Sequence, residues 1–276
     1  MSTSNSANQT AAMLTGAKTV GFAGLSHTRQ SVLSVELRQR IKEQLMQLIQ
    51  APDSVILAKN SYDQLTLVAN IFIKYDFPAN WAEMNTWLLK SLEELYQNMQ
   101  NLQLTHVPHV QRFLGFYFEV LKEQSSKKLS HSKAQFYKVS KDHLDGMFKV
   151  WQFFNEQQTQ MIFDTENNRI NLANYNESLF AIASKLDKCL MLIVACGFSI
   201  NNLVQEPKNN GYVEKVTYLI QKLKMFVECC EQIHDMPDCP EKQKFKQILV
   251  GQVKTFLKRL SDLQAFEPLL MFNSLD

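Results

Sequence analysis

The stretch Asp76-Phe77-Pro78-Ala79-Asn80-Trp81 separates two long segments that both have helical periodicity. Pro78 cannot continue a helix, and its ring disfavours the helical conformation of the residue before it. Apolar residues recur every three or four positions both before this stretch, from about Ser54 to Tyr75, and after it, to about Gln100. The stretch therefore predicts a turn of four or five residues between two antiparallel amphipathic helices.

The apolar positions of these two helices define the faces that we expect them to bury. Residues at this spacing lie on one side of a helix. The first helix is predicted to bury Leu57, Leu65, Val68 and Phe72, and the second Trp81, Met84, Leu88, Leu92 and Leu95. Such a pair is a unit that has to stack on neighbouring pairs to cover its apolar side, as in an α-solenoid.

The rest of the chain repeats this organisation without a strand pattern. Ser34 and Ser132 are predicted to cap two further helices, because a serine oxygen can accept a hydrogen bond from a backbone N–H of the first turn. Pro108 opens another helix, whose predicted inward residues are Val110, Phe113, Leu114, Tyr117, Val120 and Leu121. Helix pairs recur at about 50–70 residues, which favours HEAT units over stricter repeats. The predicted fold is all-α, an α-solenoid of HEAT-type antiparallel helix pairs; one globular bundle of eight helices is the alternative.

Composition and charge narrow the class of protein. Of the 276 residues, 45% are apolar and 20% charged, as in soluble globular proteins. The net charge of +2 predicts neither nucleic acid nor a membrane surface as an obligate partner. No apolar run has the length of a membrane helix. Residues 1–31 are Ser/Asn-rich and aperiodic and are predicted to be a disordered tail, whereas residues 32–276 form the solenoid of about four helix pairs.

The sequence offers no constellation typical of catalysis. An odd cysteine count without a Cys-x-x-Cys motif argues against a disulfide framework and a zinc site, and Cys189, Cys196 and Cys230 are predicted to be core residues. Reduced thiols indicate the cytosol or nucleus. The glycines form no phosphate-binding loop, and His106 and His109 fit surface positions better than a metal site. We therefore predict no enzyme activity, cofactor or metal.

One group of acidic residues and a histidine could suggest acid–base chemistry. Asp142 and Asp145 flank His143. The more ordinary interpretation is that Lys138–Asp142 and Asp145–Lys149 are ion pairs four residues apart on a solvated helix face.

Two groups of residues carry a resemblance to a known family. The first is the Asp-aromatic-Pro-x-x-Trp pattern with the apolar helix before it, from Leu67 to Trp81, and the segment from Ser31 to Leu92 that contains it resembles the third-repeat region of the importin-β superfamily. The second comprises Gly197-Phe198, Glu206-Pro207 and the segment from Lys222 to Cys229, and it is similar to the importin-eleven branch. The similarity extends over nearly all of residues 31–276.

This resemblance implies a frame for the helices. Residues 35–49 would be an inner (B) helix without its A partner, followed by the pairs 54–76/80–101, 108–126/132–157 and 174–198/212–235. Residues 241–263 would be an A helix without its B partner, so the chain is predicted to begin and end within a repeat. Such ends would leave apolar residues partly uncovered, namely Leu37, Ile41 and Leu45 at one end and Leu269 to Phe272 at the other.

The resemblance also implies a function and a set of partners. The chain would be a nuclear transport receptor that shuttles between nucleus and cytoplasm and binds protein cargo, the GTP-bound form of the GTPase Ran, and nucleoporins. A cytosolic HEAT scaffold without Ran dependence is the alternative. Inner helices line the binding side of a solenoid, which makes Glu83, Trp87, Lys90, Glu93, Gln97, Lys138, Asp142, Asp145 and Lys149 the candidate partner-binding residues, with Asp76, Phe77, Pro78 and Trp81 as the structural hinge.

Overall fold

A computed structural model describes residues 33–51, 59–99, 106–164, 169–170, 176–198, 211–240 and 242–243. These ranges are all-α apart from one short β pair. The helices are α1 (Val35–Ile49), α2 (Lys59–Asp76), α3 (Ala82–Asn98), α4 (Val107–Ser125), α5 (Ser130–Ile162), α6 (Glu177–Leu192) and α7 (Tyr212–Asp235). Three predicted segments lie outside the described residues: the tail, the run Leu269–Phe272 and, apart from residues 242–243, the helix at 241–263.

Backbone contacts divide the chain into two units between Gln44 and Leu45, within α1. The helix begins as predicted, because the hydroxyl of Ser34 accepts a hydrogen bond from the backbone N–H of Leu37 at 3.2 Å. Leu37 is exposed, but Leu45 is buried, so the prediction that Leu45 is left uncovered is wrong.

In the second unit the helices pack in an alternating order. The contacts join α2 to α4 and α4 to α6, and separately α3 to α5; α5 also packs on α6. The side chains buried most completely include Trp81, Trp151, Tyr117 and Tyr212. The core thus runs between these helices and is built mainly from aromatic and long aliphatic side chains.

The buried face of α2 differs from the predicted one. Leu65 and Phe72 are buried as expected, but Val68 is 44% exposed, while Ala69 and Ile73 are fully buried in its place. The helix carries more apolar residues than one face can hold, and the face that meets α4 runs through Ala69 rather than Val68. Leu57 lies outside the described residues.

The predicted faces of α3 and α4 are confirmed. Every apolar residue expected from Trp81 to Leu95 is buried, and so is the whole predicted set from Val110 to Leu121. Pro108 occupies the first turn of α4, where a missing N–H costs nothing.

Helix α5 starts earlier and ends later than predicted. It begins at Ser130, so Ser132 lies inside the first turn and is not the cap. It is followed by a two-residue antiparallel pair that joins Phe163 to Ile170 and Asp164 to Arg169, although no strand was predicted.

Helix α6 is followed directly by one turn of π-helix, Ile193–Gly197, which we call the π-turn. A π-turn contains one residue more than an α-turn and therefore rotates the residues that follow it. As a result Ile193 and Val194 are buried while Cys196 is exposed, and the prediction of Cys196 as a core residue is wrong. Cys189 is buried as predicted, and the side chain of Cys230 lies outside the described residues.

Gly197 at the end of the π-turn faces Ser140 of α5. A Cβ atom at this glycine would fall inside the Ser140 side chain. The absence of a side chain at residue 197 therefore permits α5 and the end of α6 to approach closely.

Candidate protein-binding surface

The hinge between α2 and α3 is the turn that the sequence predicts. Its backbone closes through hydrogen bonds from Asn80 N–H to the carbonyl of Asp76 at 2.7 Å and from Trp81 N–H to that of Pro78 at 3.3 Å. Phe77 and Trp81 are buried, and the indole meets the ring of Phe72 edge-on, with centroids 6.2 Å apart. The turn thus contributes to the core as well as reversing the chain.

The end of α4 fixes this turn in place. The side-chain amide of Gln124 donates to the carbonyl of Ile73 at 3.0 Å, and Lys127 Nζ donates to the carbonyl of Phe77 at 3.5 Å. Ile73 lies in the last turn of α2, where its carbonyl also accepts from the N–H of Phe77 at 3.3 Å, and Phe77 directly follows the helix. Burial lowers the pKa of Lys127. The end of α4 is therefore joined to the end of α2 and to the hinge by polar contacts as well as by apolar packing.

The nine residues predicted to bind partners lie on α3 and α5. Asp145 and Trp87 are half-buried, and the seven exposed members are Glu83, Lys90, Glu93, Gln97, Lys138, Asp142 and Lys149. On α3, Lys90 pairs with Glu94 at 3.3 Å, and Gln97 donates to Glu93 at 2.6 Å.

Trp87 belongs to the packing between α3 and α4. Its ring contacts Phe113 and Phe116 edge-on, at centroid distances of 5.7 and 5.9 Å. Trp87, one of the predicted partner-binding residues, is thus half-buried, and its ring is held by these two phenylalanines.

Asp145 connects two helices through charge. Its carboxylate contacts Lys149 Nζ at 2.8 Å on the same helix and Lys215 Nζ of α7 at 3.5 Å. The hydrogen bond from Lys149 lowers the pKa of Asp145. The same bond raises the pKa of Lys149, and the negative charge of Glu93 on α3 raises it further. The polar sides of α3, α5 and α7 are therefore neighbours. We call the surface formed by Glu93, Asp145, Lys149 and Lys215 the charged face.

The sequence reasoning did not single out the part of this face contributed by α7. Lys215 Nζ lies 5.8 Å from the ring centroid of Phe148, and Tyr218 meets Phe148 and Trp151 edge-on. The hydroxyl of Tyr218 donates to Glu156 at 3.0 Å. The spacing of Lys215 and Tyr218 along one side of α7 was the available signal, but only the packing shows that this side meets α5.

The expected ion pairs on α5 are partly present. Asp145–Lys149 is confirmed, whereas the described residues show no ion pair between Lys138 and Asp142, which are both exposed. His143 is buried and does not share the surroundings of the two carboxylates.

His143 instead forms a buried hydrogen-bonded chain across three helices. Its Nε2 lies 2.9 Å from Oδ1 of Asn85 in α3, and its Nδ1 lies 2.7 Å from the hydroxyl of Tyr117 in α4. Because the amide oxygen can only accept, Nε2 carries the proton and Nδ1 accepts from Tyr117. Burial lowers the pKa of His143 to about 4. The imidazole is therefore neutral near pH 7.

Asp187 of α6 is a buried acid held by an indole. Trp151 Nε1 donates to its Oδ1 at 2.6 Å. Burial raises the pKa of Asp187 to about 7, although the bond from Trp151 acts in the opposite direction. An acid whose folded pKa is raised contributes stability that is complete below its unfolded pKa, near 4, and is lost as the pH rises to about 7.

We expect Asp187→Asn to stabilise the chain at pH 8 by about 2 kcal/mol. A shift of three pKa units corresponds to about 4 kcal/mol, of which the new amide group, incompletely hydrogen-bonded, removes a part. The measurement is urea unfolding of variant and wild type between about pH 3 and about pH 8, a range that covers the window from the unfolded pKa near 4 to the folded pKa of about 7. The advantage of the variant should shrink towards low pH. His143 contributes a pH dependence of the opposite sign to both proteins, so it cancels in the difference between the unfolding free energies of variant and wild type.

Asp145→Asn is the matched control, because the pKa of Asp145 is lowered rather than raised. It should destabilise the chain slightly and by a constant amount from pH 8 down to about pH 4, and this deficit should fade only below about pH 4, where Asp145 becomes protonated. A stability difference between Asp187→Asn and wild type that does not depend on pH would contradict the assignment of Asp187 as a buried acid.

The described residues hold no group of three or more His, Cys, Asp or Glu side chains placed to bind a metal. His106 and His109 are exposed at the start of α4, as predicted. Among the helices that the structure describes, none combines the length and apolarity needed to cross a bilayer.

No protein-family model matches this chain, and neither curated proteins nor solved structures show a significant match. The resemblance to the importin-β superfamily therefore rests on the residues from Leu67 to Trp81 and on the later segments that carry it.

Proposed function

We propose that the chain is a HEAT-type α-solenoid that binds other proteins and acts as an importin-like nuclear transport receptor, without catalysis. The observation that carries this proposal is the alternation of contacts, in which α2, α4 and α6 pack in one series and α3 and α5 in another. In a HEAT solenoid the equivalent helices of successive repeats lie side by side in this way. The Asp76–Trp81 hinge is then the turn within one repeat.

The charged face is the part of this solenoid that we propose as the binding side. It lies on α3, α5 and α7, the second helix of each proposed pair. The side chains of Asp145 and Lys149 are about half exposed and carry opposite charges, whereas that of Lys215 is 17% exposed. Mixed charges on a protein surface favour specific orientation and rapid association with a complementary polar partner. Asp145, Lys149 and Lys215 are held in place by their ion pairs, so the surface is organised before a partner binds.

The partners follow from the resemblance. We propose protein cargo, GTP-bound Ran and nucleoporins as ligands, and shuttling between nucleus and cytoplasm as the consequence. Nucleotide chemistry is assigned to Ran, since the sequence of this chain has no glycine-rich phosphate loop.

The test is the affinity of the 276-residue chain for Ran loaded either with a non-hydrolysable GTP analogue or with GDP. We expect at least about tenfold tighter binding of the GTP form, the ratio that corresponds to about 1.4 kcal/mol. The paired substitution Lys149→Glu/Lys215→Glu should weaken this binding, because it reverses the positive part of the charged face.

Lys128→Glu is the matched control, since Lys128 is an exposed lysine in the turn after α4 and away from the charged face. It should bind Ran as the wild type does. Equal binding of both nucleotide forms, or none, would favour the cytosolic scaffold over the transport receptor.

A further inference from the structure

Helix α2 has a second apolar stripe that faces solvent. Leu67 is 61% exposed, Ile71 60%, Tyr75 66% and Val68 44%. At about 100° per residue these four side chains fall within roughly one quarter to one third of the helix circumference, opposite the residues that face α4. A contiguous apolar stripe of this kind on a helix marks an interaction surface more often than scattered single residues do.

Two charged residues of opposite sign bracket this stripe. Asp63 precedes it by one turn and Lys74 lies near its end, and both are exposed. The helical spacing places Asp63 and Lys74 on the same flank of the stripe, within about 20° of each other around the axis. Lys74 Nζ also lies 5.7 Å from the ring centroid of Tyr75, so this end of the stripe is aromatic and positive.

We propose that two copies of this chain associate through α2, with the two helices antiparallel about a twofold axis near Ala69. This surface is separate from the charged face, and the proposal does not depend on the function proposed above. In this arrangement Leu67 of one copy lies opposite Ile71 of the other, and the apolar stripes cover one another. A twofold interface uses the same patch on both copies, which fits a stripe that is complementary to itself.

The charges select the antiparallel arrangement. A twofold axis perpendicular to the helices leaves a residue on the same flank and reverses its position along the axis. Asp63 of one copy therefore comes opposite Lys74 of the other, and this happens twice in the dimer. A twofold axis parallel to the helices would instead bring each residue opposite its own equivalent position, so that Asp63 would lie at the level of Asp63 and Lys74 at that of Lys74.

The experiment is sedimentation velocity of the full chain over the micromolar range, with the wild type expected to show a concentration-dependent dimer. Ile71→Glu should raise the dimer dissociation constant at least about tenfold, because it places two carboxylates in the centre of the contact. Leu129→Glu is the matched control, because Leu129 is an apolar residue in the turn before α5 and is even more exposed than Ile71, at 75% against 60%. It should leave the dimer intact. Circular dichroism should show both variants folded like the wild type, since each replaces an exposed side chain.

Charge exchange tests the direction of the helices. Asp63→Lys alone and Lys74→Asp alone should each raise the dissociation constant about three- to tenfold, because each brings like charges together twice. The double variant Asp63→Lys/Lys74→Asp should return it to within about twofold of wild type, because opposite charges meet again. A wild-type chain that stays monomeric, or a dimer whose dissociation constant is unchanged by Ile71→Glu, overturns the proposal. Binding of a different protein to the apolar stripe of α2, instead of a second copy, also overturns it. A double variant that is not restored overturns the antiparallel arrangement.

Discussion

Trp81→Ala is expected to lower the free energy of unfolding by about 4 kcal/mol, which is the range for removing a large buried aromatic side chain. The indole is 1% exposed and fills the space between the hinge and the first helix of the pair, where it meets Phe72. The hinge backbone is held by hydrogen bonds and by the end of α4, so it cannot readily collapse into the cavity. The measurement is urea unfolding monitored by far-ultraviolet circular dichroism.

Two further variants separate this cavity effect from a general effect of aromatic residues. Trp81→Phe should recover part of the loss, because phenylalanine can still contact Phe72. Tyr96→Ala on α3 should cost only about 1 kcal/mol, because Tyr96 is 39% exposed. A stability of Trp81→Ala within about 1 kcal/mol of wild type would show that the hinge does not hold the helix pair together.

Gly197→Ala is expected to destabilise the chain by about 3 kcal/mol, because it overfills a tight contact. The new methyl group would overlap the side chain of Ser140, which is fully buried and belongs to a long helix. The overlap involves both the Cβ and the hydroxyl of Ser140, so a change of rotamer cannot remove it. The measurement is again the free energy of unfolding in urea.

The double variant Ser140→Gly/Gly197→Ala tests this mechanism. Ser140→Gly alone should cost about 1 kcal/mol, from the low helix propensity of glycine. Because it also removes the overlapping Cβ, the double variant should be more stable than the sum of the two single effects predicts. Ser140→Ala is the informative control. On its own it should be neutral or slightly stabilising, since the Ser140 hydroxyl is buried without a hydrogen-bond partner in the described structure. It should not rescue Gly197→Ala, because alanine keeps the overlapping Cβ. Additive effects in the first cycle would contradict a direct clash.

Local chemistry explains which parts of the fold could be predicted. Pro78 and the apolar residues around it act within a few positions of themselves, so the hinge and the buried faces of α3 and α4 followed from the sequence. Ser34 is another local signal, and its capping bond is present. These features need only the geometry of a single helix or turn.

The features that were missed depend on neighbours or on irregular backbone. Helix α2 has two apolar stripes, and periodicity alone cannot tell which of them meets α4, so Val68 was placed in the core. The π-turn breaks the period that made Cys196 appear buried. For the charged face, the spacing placed the residues of α3 and α5 on exposed sides, but the contribution of Lys215 depends on how α7 packs against α5. Buried Asp187 likewise gives no signal, because its indole partner is 36 positions away in the sequence.

The bonds from His143 to Asn85 and Tyr117 also limit how α3, α4 and α5 can move. A slide of α5 by a single residue along its axis would carry the imidazole roughly 1.5 Å from both partners and break the bonds of two buried groups, His143 and Tyr117, and of the half-buried Asn85. Such a slip is therefore costly in a way that a slip between purely aliphatic helices is not. When a ligand pushes on one of these three helices, we expect all three to shift as one block, and flexing to be accommodated at their borders with the rest of the chain.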